Sequence, residues 1–158
     1  MDSQSKEIQL QAKKRLSEET LGKILRKLSA DLAFELGEVL INAEIIEESA
    51  FLRLLAKKNH TQYLTEKKLS ELMVPNNILE MIPKKLAKLH NVFPVQYRKD
   101  SKNLIIVCTL PKKAKAINKI KKLNDNINVS VLVAMPDAIK RTIAYWYDGD
   151  ENAFKKVA

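Results

Sequence analysis

The chain has a single cysteine in 158 residues, Cys108, so no internal disulfide can form. That residue sits in an apolar run, where a buried thiol is inert because reactivity needs exposure and a lowered pKa. Only three glycines occur, Gly22, Gly37 and Gly149, and they are isolated. A phosphate-binding P-loop or a dinucleotide fingerprint needs several at fixed spacing, so that backbone amides can curl around phosphate oxygens. Gly22-Lys23 is followed by Ile24, and Ser17 stands where a P-loop requires its first glycine, which rules out ATP hydrolysis by that route. The two histidines, His60 and His90, lack the i, i+4 spacing or paired cysteine of a metal site, so no metal ligand set is expected. Arginine appears only at positions 15, 26, 53, 98 and 141, which leaves the planar bidentate grip on bases and phosphates scarce and disfavours specific nucleic-acid recognition. No apolar run approaches the roughly 20 residues that span a bilayer. Met1 to Lys6 lack the apolar stretch of a signal peptide, so the expected compartment is the cytoplasm.

What is present is a globular composition, 46% hydrophobic and 30% charged, with a net charge of +9 from 28 Lys and Arg against 19 Asp and Glu. Such an excess draws a protein toward anionic partners without naming one. The length suits one α/β domain over residues 17–150, preceded by a flexible or partly helical lead-in over 1–16 and followed by a tail over 151–158.

Ser17 with Glu18 and Glu19 predicts a helix start, since the hydroxyl accepts from free amides while the acids meet the positive helix end. Leu21, Ile24, Leu25 and Leu28 continue at helical spacing. Leu32, Leu36, Val39 and Leu40 predict a second helix with that face inward, and Phe51 to Leu55 a third after Glu47 and Glu48. Residues 61–91 mix short helical signals with Pro75 and Pro83. Beyond Asn91 the period becomes extended: Phe93, Val95 and Tyr97 alternate, and Leu104 to Cys108 follow after a polar link, a pattern that reads as a β-hairpin. Pro94 places the first strand at an edge, and the second, apolar on both faces, belongs at the centre. A lysine-rich helix from Pro111 to Leu123 with Ile117, Ile120 and Leu123 on its buried side, a strand from Asn128 to Ala134 and a helix opened by Pro136 complete the chain, and the helix crossover makes its two flanking strands parallel. The expected fold class is α+β: a helical N-terminal half packed on a small mixed three-stranded sheet, in β-β-α-β-α order.

The chemistry-bearing residues gather into no catalytic constellation. The carboxylate pairs Glu18 and Glu19, Glu47 and Glu48, and Asp148 and Asp150 stand at helix starts or beside a glycine turn, where negative charge has a local structural reason. The strongest electrostatic feature is the run Lys112, Lys113, Lys115, Lys119, Lys121 and Lys122. Its first four members are the candidate partner-docking residues. No aromatic residue interleaves to stack on bases, so nonspecific nucleic-acid binding there is the third reading, behind an acidic protein partner. No catalytic residue and no cofactor is assigned.

Two segments carry a resemblance. Leu36-Gly37-Glu38-Val39-Leu40-Ile41 with Ile45-Ile46 and Leu52 to Leu55, and later Ile82-Pro83-Lys84-Lys85-Leu86-Ala87 running to Asn91-Val92-Phe93-Pro94-Val95, resemble the N-terminal domain of the type II secretion and type IV pilus assembly ATPases. The likeness continues through Leu104-Ile105-Ile106-Val107, the strand to Ala134, Pro136 and Ile143-Ala144-Tyr145-Trp146-Tyr147, over residues 31–150 and without the ATPase core. It implies a non-catalytic regulatory and docking unit that meets the inner-membrane platform of a secretion or pilus machine. Some members bind cyclic di-GMP through Leu-Gly helical motifs, and the matching positions here are Leu36, Gly37, Leu40, Ile45 and Ile46. This sequence departs from that pattern at Glu35, where a basic residue commonly precedes Leu-Gly, and at Ala43-Glu44, which replaces a glycine turn. Cyclic di-GMP sensing is therefore the second reading.

Overall fold

The computed structural model describes residues 17–109 and 114–155, in two compact units that divide between Leu55 and Ala56. The lead-in over 1–16 lies outside the described residues, as do Lys112 and Lys113.

The first unit holds α1 (Glu18–Lys27), α2 (Ala30–Asn42) and α3 (Glu48–Lys58), whose last residues belong to the second unit. Ser17 caps α1 by accepting from the Thr20 amide at 3.1 Å, with Glu18 and Glu19 in the first turn and Arg26 and Lys27 in the last. Ser29 caps α2 by accepting from the Leu32 amide at 3.4 Å. An exposed ion pair of 2.9 Å between Arg53 and Glu18 joins α3 to α1, a contact worth at most about 1 kcal/mol.

The expected inward face of α2 is a correction. Leu32 and Val39 are 52% and 63% exposed, and the buried residues are Ala33, Phe34 and Gly37. The helix is apolar at most positions, so periodicity alone admits two faces. The packed one is turned from the expected one by roughly one residue position, about 100° around the axis.

The second unit is built on a four-stranded sheet in the order β1-β4-β3-β2: β1 (Gln62–Tyr63), β2 (Phe93–Arg98), β3 (Asn103–Cys108) and β4 (Asn128–Val133). The three expected strands are present with the expected sense. β2 pairs antiparallel with β3, and β3 runs parallel to β4 from Asn103 opposite Asn128 to Cys108 opposite Val133. Pro94 sits on the edge strand β2, next to an irregularity in its register. The fourth strand, β1, escapes sequence reading because two polar residues show no period. It adds parallel to β4, held by the Leu64 amide donating to the Val133 carbonyl at 2.9 Å and by the Thr61 hydroxyl donating to the Val131 carbonyl.

Between β1 and β2 lie α4 (Glu66–Ser70), α5 (Asn76–Leu79) and α6 (Lys84–His90). The crossover helix α7 (Ala114–Leu123) buries Ala116 and Ile120. Leu123, expected inside, is 59% exposed. The reason is local: Asp125 and Asn126 both take left-handed conformations, turning the chain as the helix ends, and the Asn124 amide group donates at 2.8 Å to the Ile120 and Met81 carbonyls.

Pro136 opens α8 (Pro136–Tyr147), which buries Ala138, Ile139, Thr142 and Ile143. Its C-terminal end is a latch. The Tyr147 hydroxyl lies 2.8 Å from the Ile82 carbonyl and 3.1 Å from that of Leu79, and its ring meets Phe93 edge-on at 6.0 Å. Burial pushes the phenol well above its ordinary pKa. The next residue, Asp148, pairs with Lys84 at 2.6 Å and Lys88 at 2.8 Å, and those ammonium groups hold its carboxyl below the usual range. One turn thus ties α8 to both α5 and α6. Tyr147→Phe strands the carbonyls without removing the ring, so it is expected to cost about 1–2 kcal/mol in urea unfolding, with the midpoint lowered and the slope unchanged.

Candidate functional site

Two surface regions emerge from the residues singled out by sequence, one in each unit. The first is the helical hairpin of α2 and α3. Leu36 and Leu40 are half-buried on α2, Gly37 is buried, and Ile45 and Ile46 are half-buried in the connecting turn. The structure brings Leu40, Ile45 and Ile46 together, because the Leu40 carbonyl accepts from the amides of both isoleucines, at 2.9 and 3.4 Å. Those amides close the end of the helix. Glu44 takes the left-handed conformation, φ 59°, that a glycine would ordinarily supply at such a helix end.

Gly37 has a packing role. The tip of the Phe51 ring occupies the space where a Cβ would be: that atom would lie 2.6 Å from Cε2 and closer still to Cζ. Phe34 meets the same ring edge-on at 6.2 Å. The glycine therefore lets α3 approach the backbone of α2, and this contact selects which face of α2 is buried. The outer face carries Asp31, Glu35, Leu32 and Val39 in the open, with Glu38 half-buried beside them. From residue 28 to residue 52 there are six acidic residues and no Lys or Arg. Such a surface repels phosphate and attracts cations.

The second region is the outer face of α7. Lys115, Lys119 and Lys122 are exposed, Lys121 is half-buried, and the helix contains no acidic residue. Residues 56–158 carry 20 basic side chains against 9 acidic, whereas residues 17–55 carry 4 against 8. The net charge thus conceals opposite signs, about +11 and −4. Sequence reading found the lysine row but missed its acidic counterpart, because the acids are scattered as pairs and single residues along three helices and a turn and never form a run longer than two.

Among the described residues Cys108 is buried, and no group of three or more His, Cys, Asp or Glu could hold a metal ion. No described helix is long and apolar enough to cross a membrane.

The mixed sheet with its covering helices makes the second unit an α+β domain, and the sequence supplies it with no phosphate loop. The profile of the MshEN domain matches residues 64–153, more than half of the chain, so the chain belongs to the MshEN domain family, the N-terminal domains of type II secretion and type IV pilus ATPases. These are regulatory domains outside the catalytic part of those ATPases. The matched span lies within the second unit, and Leu36 to Ile46 fall outside it. Among solved structures the chain is similar to MshE with cdg, at 18% identity and a TM-score of 0.57 over 80% of this chain and 98% of that one. It is likewise similar to the N-terminal domain of XpsE, at 19% identity and a TM-score of 0.50 over 92% of this chain and 96% of the other. At such identities the likeness is one of fold. No curated protein sequence matched.

The packing role of Gly37 is measurable. Alanine is better than glycine in a helix by about 1 kcal/mol, but overpacking a filled site costs about 1–3 kcal/mol, and here the obstacle is a buried ring flanked by a second ring. Gly37→Ala is therefore expected to lower stability by about 1–2 kcal/mol in urea denaturation. In a Phe51→Leu background the same substitution becomes neutral or stabilising, because the obstacle has gone.

Proposed function

We propose that the chain is a non-catalytic docking and regulatory domain that binds a protein component of a secretion or pilus machine, an inner-membrane platform protein or a fused ATPase, through the outer face of α7. It works in the cytoplasm and is held at the inner membrane through that partner. Membership of the MshEN family supports the setting. The observation that carries the surface is the exposed row Lys115, Lys119 and Lys122 on a helix without one acid, to which the sequence adds Lys112 and Lys113 just upstream. Exposed lysines gain little from any one partner charge, about 0.2–1 kcal/mol each, so the row works as a field that steers an acidic surface and fixes its orientation. The expected outcome is that the full chain captures a platform component of its host and that Lys115→Glu with Lys119→Glu weakens capture by about tenfold or more, with raised salt acting the same way. Capture of no such component, or capture indifferent to both charge reversals, would refute the proposal.

A second reading is a cyclic di-GMP sensor, favoured by likeness to MshE with cdg and by the Leu36-Gly37 motif. The charge around that motif opposes it, since the ligand's two phosphates would approach Glu35 and its acidic neighbours. Titration calorimetry is expected to give no binding heat with cyclic di-GMP near neutral pH. Saturable heat that disappears in Leu40→Asp would establish the sensor reading instead.

A further inference from the structure

Outside the span matched by the family, α2 presents a face open to solvent. Asp31 and Glu35 form its charged side, and Leu32 and Val39, 52% and 63% exposed, form its apolar edge. At 100° per residue Glu35, Val39 and Leu32 lie within an arc of roughly 60°. The outer face of α7 has the same construction with the charge inverted: Lys115, Lys119 and Lys122 lie beside the 59% exposed Leu123, within an arc of roughly 100°. Asp31, Glu35 and the three lysines are paired with no other charged residue among the described residues.

We infer that these two faces dock on each other between copies of this chain, the acidic and apolar face of α2 in one molecule receiving the lysine row of α7 in a second. The charge arrangement dictates the choice of occupant. Two α2 faces would set acids against acids, two α7 faces lysines against lysines, and only the mixed pairing brings opposite signs together. Leu123 meeting Leu32 and Val39 removes apolar surface from water and excludes water from the neighbouring ion pairs, which strengthens them. The charge polarity of the chain, 4 basic against 8 acidic residues over 17–55 and 20 against 9 over 56–158, orients the approach before contact. The inference adds a second copy to the proposed docking role of α7 and makes that copy a competitor of any acidic protein partner.

The full chain, half of it labelled with nitrogen-15 and half unlabelled, is to be mixed and treated with a carbodiimide, which joins a carboxylate to an amine only in direct contact. Mixed-isotope cross-links from Asp31 or Glu35 to Lys115, Lys119 or Lys122 are expected, together with sedimentation that grows with concentration and falls with salt. Glu35→Lys and Lys119→Glu each weaken association by about tenfold or more, and an equimolar mixture of the two variants restores it. Both residues are exposed, and far-ultraviolet circular dichroism checks that the variants fold. A monomer at every concentration, cross-links confined to single-isotope chains, or an oligomer that survives both reversals would overturn the inference. Glu35→Lys leaves α7 intact, so it weakens self-association while sparing capture of a secretion partner, and this separates failure of one reading from failure of the other.

Discussion

A strand that is apolar on both faces must be covered on both faces and paired on both edges, and β3 is that strand. Leu104, Ile106, Val107 and Cys108 are buried, with β2 antiparallel on one edge and β4 parallel on the other. The rest of the second unit follows from it. A parallel neighbour needs a crossover, which α7 supplies. β4 is left with a free edge, which the two residues of β1 cover. The other outer strand is β2, where a proline can stand at position 94 without breaking a ladder that matters. α8 then returns to the sheet, with Ile139 and Ile143 in the core, and Tyr147 and Asp148 fasten its end to α5 and α6.

In the first unit the corresponding constraint is the missing Cβ of Gly37. A ring as large as Phe51 enters only where the opposite helix has no side chain, and once it is there Ala33, Phe34 and Gly37 become the inner face. Leu32 and Val39, larger than Ala33 and Gly37, are left facing outward as a consequence. The spacing of the leucines points one way and close approach the other, and on the face that is packed Phe34 also meets the Phe51 ring.

This contest explains what the sequence made legible and what it did not. The hairpin, the parallel crossover, the central place of β3 and the edge place of Pro94 were readable, because alternation, a run apolar on both faces and a missing amide each have one structural solution. The inner face of α2 was not, since its apolar residues satisfy two faces and only the tertiary partner of Gly37 decides between them. Leu123 was misplaced because a left-handed turn at Asp125 and Asn126 follows it, and neither residue advertises positive φ as a glycine would. The lysine row was visible as a run. The acidic face of α2 was invisible because Asp31, Glu35 and Glu38 are single residues that only the helix brings to one side.

Local charge, more than the sum, governs what such a surface can meet. At physiological ionic strength the field of an exposed charge fades over about 8 Å, so a ligand at α2 responds first to the acids of that hairpin and not to the net charge of the whole chain. A protein of net charge +9 can therefore repel a phosphate at the very helix that carries the Leu-Gly pair. The same reasoning separates family membership from ligand: the matched span, 64–153, contains the sheet and its helices, while the acidic hairpin lies upstream of it. Likeness of fold fixes the scaffold, and the sign of the charge that each helix turns outward decides which partners that scaffold can hold.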